Sequence, residues 1–317
     1  MRKRISVCIP VFNEAANLPV AVEAVERLFR DELEAYDLEI VITDNASTDA
    51  TWDVVNLLAT ERPHLRAYRF SRNFGYQNSV FAGISMATGS AVVELDADLE
   101  DPPNVIPRFV EKWEEGFDVA YGVRVTRHGS WFLRLAFFLF YRVLNKLSDF
   151  PIPRDSGDFR LLDRRVVEVL KNLPERNLYL RGLVSYLGFR QAEVLYDRQP
   201  RIGGASKFGF LHYTTLAIDA LTAFSKAPLR LIGILGIILF TLSMLLSLYY
   251  LYGRIFYGTL LPGFTTLVVL TLMLNSVTFI FLGVLGEYLS RIFDDAKGRP
   301  RVIIRDSVNA DYVPPCL

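Results

Sequence analysis

Near its amino terminus the chain reads Ile5-Ser-Val-Cys-Ile-Pro-Val-Phe12, an almost continuous apolar run that ends at two polar residues, Asn13 and Glu14. A strand that is buried on both faces of a parallel sheet has this pattern, because neither face meets water. The run is too short to cross a membrane, and it stops too early for a secretion signal. We therefore predict a central strand here.

The regions that follow alternate between strand and helix patterns. Further strands are predicted at Leu38–Thr43, Ala91–Leu95 and Val119–Val123. Apolar residues at helical spacing predict three helices: Asn17–Ala35, Asp49–Thr60 and Gln77–Ala87. This alternation is typical of an α/β fold with a doubly wound sheet, in which ligands bind at the carboxyl ends of the strands.

Polar residues collect at those strand ends. Three loops follow three of the predicted strands: Pro10-Val-Phe-Asn-Glu14, Thr43-Asp-Asn-Ala-Ser-Thr-Asp49 and Asp96-Ala-Asp-Leu-Glu100. Asp96 and Asp98 lie two residues apart on an extended loop, so both carboxylates can face one side and hold Mg²⁺ or Mn²⁺ together with a diphosphate. The sequence has neither GxGxxG nor GxxxxGK[ST], which argues against a dinucleotide fold and a P-loop ATPase.

The character of the chain changes after Pro228. No charged residue lies between Arg230 and Arg254, or between Arg254 and Glu287. Each stretch exceeds the ~20 residues that span a bilayer, and we predict two transmembrane helices, Leu231–Tyr252 and Phe264–Gly286. Two buried core helices of a soluble protein are the alternative. Basic residues flank the pair on both outer sides, which places both termini in the cytoplasm.

Overall composition excludes some classes of protein. Lys plus Arg and Asp plus Glu each number 35, so the chain lacks the net positive charge that would favour nucleic-acid binding. The only cysteines, Cys8 and Cys316, form neither a disulfide framework nor a metal-ligand spacing. With 317 residues, the chain has room for one large catalytic domain and an appendage.

The three loops combine with further motifs: Ser71-Arg-Asn-Phe-Gly75, Asp96-Ala-Asp-Leu-Glu-Asp-Pro-Pro103, Ser156-Gly-Asp-Phe-Arg160 and Arg201-Ile-Gly-Gly-Ala-Ser-Lys207. Together they resemble family 2 glycosyltransferases of the GT-A fold. With the paired spans, they resemble the branch of dolichyl-phosphate mannose synthases and bactoprenol glucosyltransferases. The resemblance implies a cytoplasmic catalytic domain at 1–205, an interfacial amphipathic helix at 206–228, a two-helix membrane region at 229–287 and a cytoplasmic tail at 288–317.

The resemblance also implies roles for individual residues. The nucleotide-sugar would contact Pro10, Phe12, Glu14, Asp44 and Asp96, and the divalent metal would contact Asp96, Asp98 and Glu100. Two positions depart from the family pattern: Asn45 replaces a common Asp, and Glu100 replaces a common Gln. Glu100 could tighten metal binding or point to solvent, and the sequence leaves both readings open.

Catalytic roles are expected for Asp98, Asp158, Arg201 and Lys207. Asp158 matches the family's base, with Asp155 as the alternative. A phosphate monoester is already largely dianionic at neutral pH, so Asp158 could instead orient the acceptor or the metal. Arg201 and Lys207 bracket a glycine-containing loop that could fold over the donor diphosphate.

The lipid phosphate needs fixed positive charge, which Arg124, Arg127 and Arg134 would supply. They lie in and after the loop following Val123, around the start of the aromatic segment Trp131–Leu147, which suits a helix in the membrane interface. A core helix with a cationic solvent face is the alternative.

We therefore expect an inverting enzyme of the inner membrane that moves one sugar, glucose from UDP-glucose, to polyprenyl (undecaprenyl) phosphate. GDP-mannose is the alternative donor. A processive polysaccharide synthase would resemble its relatives in a QxxRW motif, which none of the three tryptophans fits. A non-enzymatic membrane sensor of nucleotide sugars is a further alternative. Small residues in the spans favour a homo-oligomer, although lipid-facing glycines explain them equally well: Gly233, Gly236, Ser243, Gly283 and Gly286.

Overall fold

The structure is a computed structural model that describes residues 2–125, 156–176, 178–199, 227–257, 263–310 and 317. Its centre is an eight-stranded sheet with the order β7-β5-β6-β4-β1-β2-β3-β8. The strands are β1 (Arg4–Val11), β2 (Asp37–Asp44), β3 (Leu65–Phe70), β4 (Ala91–Glu94), β5 (Val119–Arg124), β6 (Ser156–Asp163), β7 (Gln191–Tyr196) and β8 (Ile304–Val308).

Six helices pack on this sheet and two extend from it. The packed helices are α1 (Leu18–Asp31), α2 (Thr51–Glu61), α3 (Tyr76–Met86), α4 (Ile106–Glu114), α5 (Arg164–Lys171) and α6 (Leu180–Tyr186). The two long helices are α7 (Ala227–Tyr257) and α8 (Phe264–Lys297). A short 3₁₀ turn, Pro103–Val105, leads into α4.

The predicted α/β architecture is confirmed, but the sheet is mixed rather than wholly parallel. β1 pairs in parallel with β2 and β4, and β2 with β3. β6 runs antiparallel between β4 and β5, and β8 runs antiparallel along β3. The sequence analysis did not predict β3, β6, β7 or β8.

The core explains why the first strand is apolar throughout. Ile5, Val7 and Ile9 enter one hydrophobic cluster, which also contains Phe109 of α4. Cys8 points to the opposite face and joins a second cluster with Phe81 of α3. Because side chains alternate across a strand and helices cover both faces, nearly every position of β1 must be apolar.

A buried polar network closes the amino ends of the central strands. Glu39 of β2 accepts hydrogen bonds from the Ser6 hydroxyl and from the backbone N–H of Thr88 (2.7 Å), and it pairs with Arg66 at 3.2 Å. Gly89 donates its N–H to Ser6 at 2.8 Å, and a Cβ at Gly89 would lie 2.6 Å from that same oxygen. Glycine is therefore required where this backbone passes Ser6.

The two long helices expose apolar side chains along their length. Phe240 on α7 is 70% exposed and Phe279 on α8 is 73% exposed. Among the described residues, Met273–Lys297 is the one helical stretch that is long and apolar enough to cross a membrane, judged by length and composition. Ile232–Leu246 is a shorter apolar helical stretch. The structure thus has helices at both predicted positions, and one candidate span rather than two.

The chain returns to the sheet directly after α8. Gly298 ends the helix with a left-handed backbone conformation, Val302 is fully buried, and β8 follows on the outer edge of β3. Arg301 lies over the Phe81 ring at 4.4 Å and donates to the carbonyls of Leu173 and Glu175. The predicted tail at 288–317 therefore contains the end of α8 and a strand of the catalytic sheet.

Candidate active site

The three polar loops lie together at one edge of the sheet, as predicted. They follow β4, β1 and β2, which are adjacent in the strand order and mutually parallel. The first two loops are bonded to each other. Asn13 donates its N–H to Ser47 at 3.0 Å, and Thr48 donates its N–H to the Asn13 side chain at 2.8 Å. Asn13 needs a positive φ, 58°, to make this turn.

The predicted nucleoside ligands occupy different environments. Phe12 is 36% exposed at the edge, and the backbone N–H of Glu14 bonds to Thr51 at 3.0 Å. Pro10 is buried at the end of β1. Asp44 has no exposed surface: it accepts the N–H of Ser47 at 3.0 Å and lies 3.2 Å from Arg69. Asp44 thus stabilises the Thr43–Asp49 loop through a buried hydrogen bond.

The Asp96–Glu100 loop brings its first carboxylate against Tyr76. The Tyr76 hydroxyl donates to Asp96 at 2.8 Å. Burial raises the pKa of Asp96 to about 7; the Tyr76 hydrogen bond opposes the rise, and the charges of Asp98, Asp101 and Asp158 add to it. Asp96 is thus a half-buried carboxylate among like charges, and a cation bound beside it would offset their repulsion.

The turn after Asp96 presents Asp98. Leu99 adopts a positive φ of 55°, and the N–H of Glu100 bonds back to the Asp98 side chain at 3.1 Å. Carboxylate oxygens are the type of ligand that a divalent ion such as Mg²⁺ prefers, and this loop carries two of them. Among the residues that the structure describes, no group of three or more Asp, Glu, His or Cys side chains is arranged to hold a metal.

Glu100 is engaged elsewhere, which bears on the two readings left open by the sequence. Its carboxylate forms an ion pair with Arg198, and its carbonyl accepts the N–H of Gln199 at 2.9 Å. Glu100 therefore connects the Asp96–Glu100 loop to the segment that follows β7.

Arg124 lies at the same corner of the site. Its guanidinium bonds to both oxygens of Asp101, at 3.0 and 3.2 Å, and Tyr196 also donates to Asp101 at 2.6 Å. Burial alone would lower the pKa of Arg124, but Asp101 raises it above its ordinary value. Arg124, which the sequence analysis predicts to bind phosphate, thus lies beside the Asp96–Glu100 loop and is already paired with an acidic partner.

Asp158 belongs to a buried group of charges on β6 and its neighbours. Its Oδ1 accepts from Arg160 at 3.1 Å and from Arg181 at 3.3 Å. Burial would raise the pKa of Asp158, but the charges of Arg181 and Arg160 outweigh it and lower the pKa below its usual value. Asp158 is thus held ionised, which suits a positioning group better than a general base that must take up a proton.

Several predicted residues lie outside the described residues: Arg127, Arg134, Asp155, Arg201 and Lys207. Conversely, the structure adds residues that the sequence analysis did not assign to the site. Tyr76 directly follows the Ser71–Gly75 motif, and Arg160 is the last residue of the Ser156–Arg160 motif. Their positions in or next to these motifs could have indicated that both belong to the site. For Arg181 on α6 we find no such signal in the sequence.

The comparison with known protein families agrees with this geometry. The family model described as "Glycosyl transferase family 2" matches residues 6–171, which include the three loops and Asp158. The chain belongs to glycosyltransferase family 2. The residues that match the family model include most of β1, all of β2 and β4, and the acidic loops that follow these strands.

Relatives of this family 2 glycosyltransferase match over nearly their whole length. The "Bactoprenol glucosyl transferase" of Shigella phage SfX is 39% identical over 303 residues, covering 95% of this chain and 99% of that protein. The "Prophage bactoprenol glucosyl transferase homolog" of Escherichia coli is 37% identical over 303 residues, covering 95% and 98%. A solved structure of glucosyl-3-phosphoglycerate synthase from Mycobacterium tuberculosis, in complex with Mn²⁺, uridine-diphosphate and phosphoglyceric acid, matches with 18% identity and a TM-score of 0.47, covering 69% of this chain and 76% of that one.

Proposed function

We propose that this glycosyltransferase moves glucose from UDP-glucose to polyprenyl phosphate at the cytoplasmic face of the inner membrane, with inversion at the sugar carbon. The observation that carries the proposal is the meeting of three polar loops at the carboxyl ends of β1, β2 and β4, one of which bears both Asp96 and Asp98. Such a site favours a cation that arrives with a diphosphate. The names of the full-length relatives support a lipid acceptor and a glucosyl donor.

On the donor side, Asp96 and Asp98 would hold Mg²⁺ or Mn²⁺ against the diphosphate. The bound ion supplies Lewis-acid stabilisation of the departing nucleotide. Phe12 and Glu14 at the end of β1 would contact the nucleoside, with Pro10 setting the end of the strand and Asp44 fixing the neighbouring loop. Glu100 is assigned to the ion pair with Arg198 in this proposal, rather than to the metal.

On the acceptor side, the lipid phosphate carries the attacking oxygen. That oxygen forms a bond to the anomeric carbon while the bond from that carbon to the nucleotide diphosphate breaks. One displacement of this kind inverts the anomeric configuration. No base is required, because the phosphate is already largely dianionic at neutral pH.

The role of Asp158 follows from its partners. A lone carboxylate would repel the dianionic acceptor, but Arg160 and Arg181 balance its charge. We assign to Asp158 the orientation of these two guanidinium groups near the reacting phosphate. Arg124, Arg127 and Arg134 would bind the lipid phosphate, and Arg201 and Lys207 would cover the diphosphate.

Membrane attachment brings the enzyme to its lipid substrate. We propose that α7 and α8 both span the bilayer, with the catalytic domain and both termini in the cytoplasm. The exposed apolar side chains of both helices and the basic flanks support this arrangement. Small residues on the two helices support a homo-oligomer formed through the membrane region.

A donor panel tests the proposal directly. The full-length enzyme in detergent is incubated with undecaprenyl phosphate, Mn²⁺ and each of UDP-glucose, UDP-GlcNAc and GDP-mannose. We expect UDP release and a glucosyl lipid only with UDP-glucose, and an NMR coupling constant that reports the anomer opposite to the donor's. A mannosyl lipid would show that the donor is GDP-mannose. Retention of the donor's anomeric configuration would contradict the single displacement. The absence of product with every donor would contradict the proposed reaction.

A further inference from the structure

The segment between β3 and α3 is bound to the rest of the site by two asparagine side chains. Asn45, directly after β2, is 4% exposed, and its Nδ2 donates to Oδ1 of Asn73 at 3.0 Å. Oδ1 of Asn45 accepts the N–H of Phe74 at 2.8 Å, and Oδ1 of Asn73 accepts the N–H of Gly75 at 2.8 Å. These contacts form the Asn45–Asn73 amide pair.

The two backbone donors determine which way each amide is turned. A backbone N–H can only donate, so each must face a side-chain oxygen. With its oxygen on Phe74, Asn45 is left with its NH₂ group toward Asn73. An aspartate at position 45 would instead place a second oxygen against Oδ1 of Asn73. The structure therefore gives a reason for asparagine at position 45.

The amide pair sets the start of α3. Gly75 has a φ of 90°, a conformation that suits glycine, and the helix begins at the next residue, Tyr76. The Tyr76 ring is 41% exposed, and its hydroxyl reaches Asp96 at 2.8 Å. In the same turn, Oε1 of Gln77 accepts the N–H of Leu180 at 3.0 Å, next to the Asp158 partner Arg181.

We propose that Tyr76 is a positioning residue that fixes the orientation of the Asp96 carboxylate, and that the Asn45–Asn73 amide pair holds Tyr76 in place. This inference rests on the proposed function, because it assumes that Asp96 receives the cation of the donor. Tyr76 occupies one lone pair of Oδ1 and so restricts the rotation of the carboxylate. Through these contacts the Ser71–Gly75 motif would act on the Asp96–Glu100 loop by way of Tyr76.

The test compares two tyrosines that each donate a hydroxyl to a carboxylate. Tyr76→Phe removes the bond to Asp96, and the control Tyr36→Phe removes the bond to Glu114 near the amino end of β2. Mn²⁺ affinity in the presence of UDP is measured by electron paramagnetic resonance, and UDP affinity without metal by calorimetry. We expect Tyr76→Phe to weaken Mn²⁺ binding about ten-fold, as for loss of a hydrogen bond to a charged group. UDP binding without metal and the melting temperature should match those of Tyr36→Phe.

A second set of variants tests the amide pair. Asn73→Asp keeps the accepting oxygen, and its added exposed charge should change Mn²⁺ affinity by no more than about three-fold. Asn73→Ala and Asn45→Asp each break the pair and should weaken Mn²⁺ binding in the same direction as Tyr76→Phe. Equal Mn²⁺ affinity for wild type and Tyr76→Phe, or an equal loss in Tyr36→Phe, would overturn the proposal.

The same measurements separate this inference from the proposed function. A wild-type enzyme that binds no Mn²⁺ with UDP would defeat both. A wild-type enzyme that binds Mn²⁺ and transfers glucose, together with a Tyr76→Phe variant of unchanged affinity, would defeat only the role of Tyr76.

Discussion

Glu39 and Glu94 lie on the two strands that flank β1, and they are 3% and 2% exposed. At the amino end, Glu39 is surrounded by Ser6, Thr88 and Arg66, which bond to both of its oxygens. At the carboxyl end, neither oxygen of Glu94 has a hydrogen-bond partner among the described residues, and Arg160 lies 3.5 Å away. Burial raises the pKa of Glu94 even though Arg160 opposes the rise. We call the amino end, where the buried carboxylate is fully hydrogen-bonded, the balanced end of the sheet, and the carboxyl end, where the acidic loops lie, the unbalanced end.

The largest effect is expected at the unbalanced end. Asp96→Ala or Asp98→Ala should lower turnover by at least about a hundred-fold, because each would remove a charged ligand of the cation proposed to bind with the donor. Turnover is measured with UDP-glucose and undecaprenyl phosphate, and Asp37→Ala, an exposed acid at the amino end of β2, is the control. Wild-type turnover of both site variants in chelator-treated buffer would rule out the metal site.

At the balanced end, Glu39→Gln should lower the free energy of unfolding by about 3 kcal/mol. The substituted amide keeps the shape of the side chain but turns an NH₂ group toward donors that need an acceptor. Urea unfolding of the detergent-solubilised protein, followed by tryptophan fluorescence, measures the change. A cost below ~1 kcal/mol would show that this network contributes no more than a typical surface ion pair.

A smaller effect, on the Michaelis constant for the acceptor, is expected for Arg124→Ala. If Arg124 binds the lipid phosphate, its removal should raise the Michaelis constant for the acceptor about ten-fold and leave UDP affinity unchanged. Asp101→Asn supplies the matched variant, because it weakens the pairing of Arg124 without removing the guanidinium. An equal rise in both variants would mean that Arg124 acts only by holding the loop at Asp101.

The smallest change in stability is expected for Glu94→Gln, the counterpart of the Glu39 substitution. It replaces a buried carboxyl group that has no hydrogen bond to lose among the described residues, and Arg160 keeps its bond to Asp158. The free energy of unfolding should change by less than about 1 kcal/mol. A cost as large as that of Glu39→Gln, in the same urea experiment, would remove the distinction between the two ends.

Much of the fold followed from the sequence because β1, β2 and β4 are covered by helices on both faces and are therefore apolar. β3 was missed because Arg66 and Arg69 make it look polar, whereas they pair with Glu39 and Asp44 of the neighbouring strand. β8 depends on a pairing between residues more than two hundred positions apart, for which local patterns carry no signal.

The candidate site divides in the same way. The acidic loops could be predicted because each follows its own strand directly, and parallel strands bring their carboxyl ends together. The contacts of Tyr76 with Asp96 and of Arg181 with Asp158 join separate elements, so only the folded chain reveals them. The pairing of Glu100 with Arg198 also joins separate elements. It gives Glu100 a partner where the sequence left open whether this side chain binds metal or points to solvent.

The return of the chain to the sheet after α8 limits how far the catalytic domain can move from that helix. Only residues 298–303 separate the end of α8 from β8, and they can reach at most about 20 Å when fully extended. If α8 lies in a bilayer as proposed, this short link would keep β8, and with it the central sheet, near the membrane surface. Encounter with a lipid acceptor then becomes a search in two dimensions, at a high local concentration set by a short tether rather than by free diffusion through the cytoplasm.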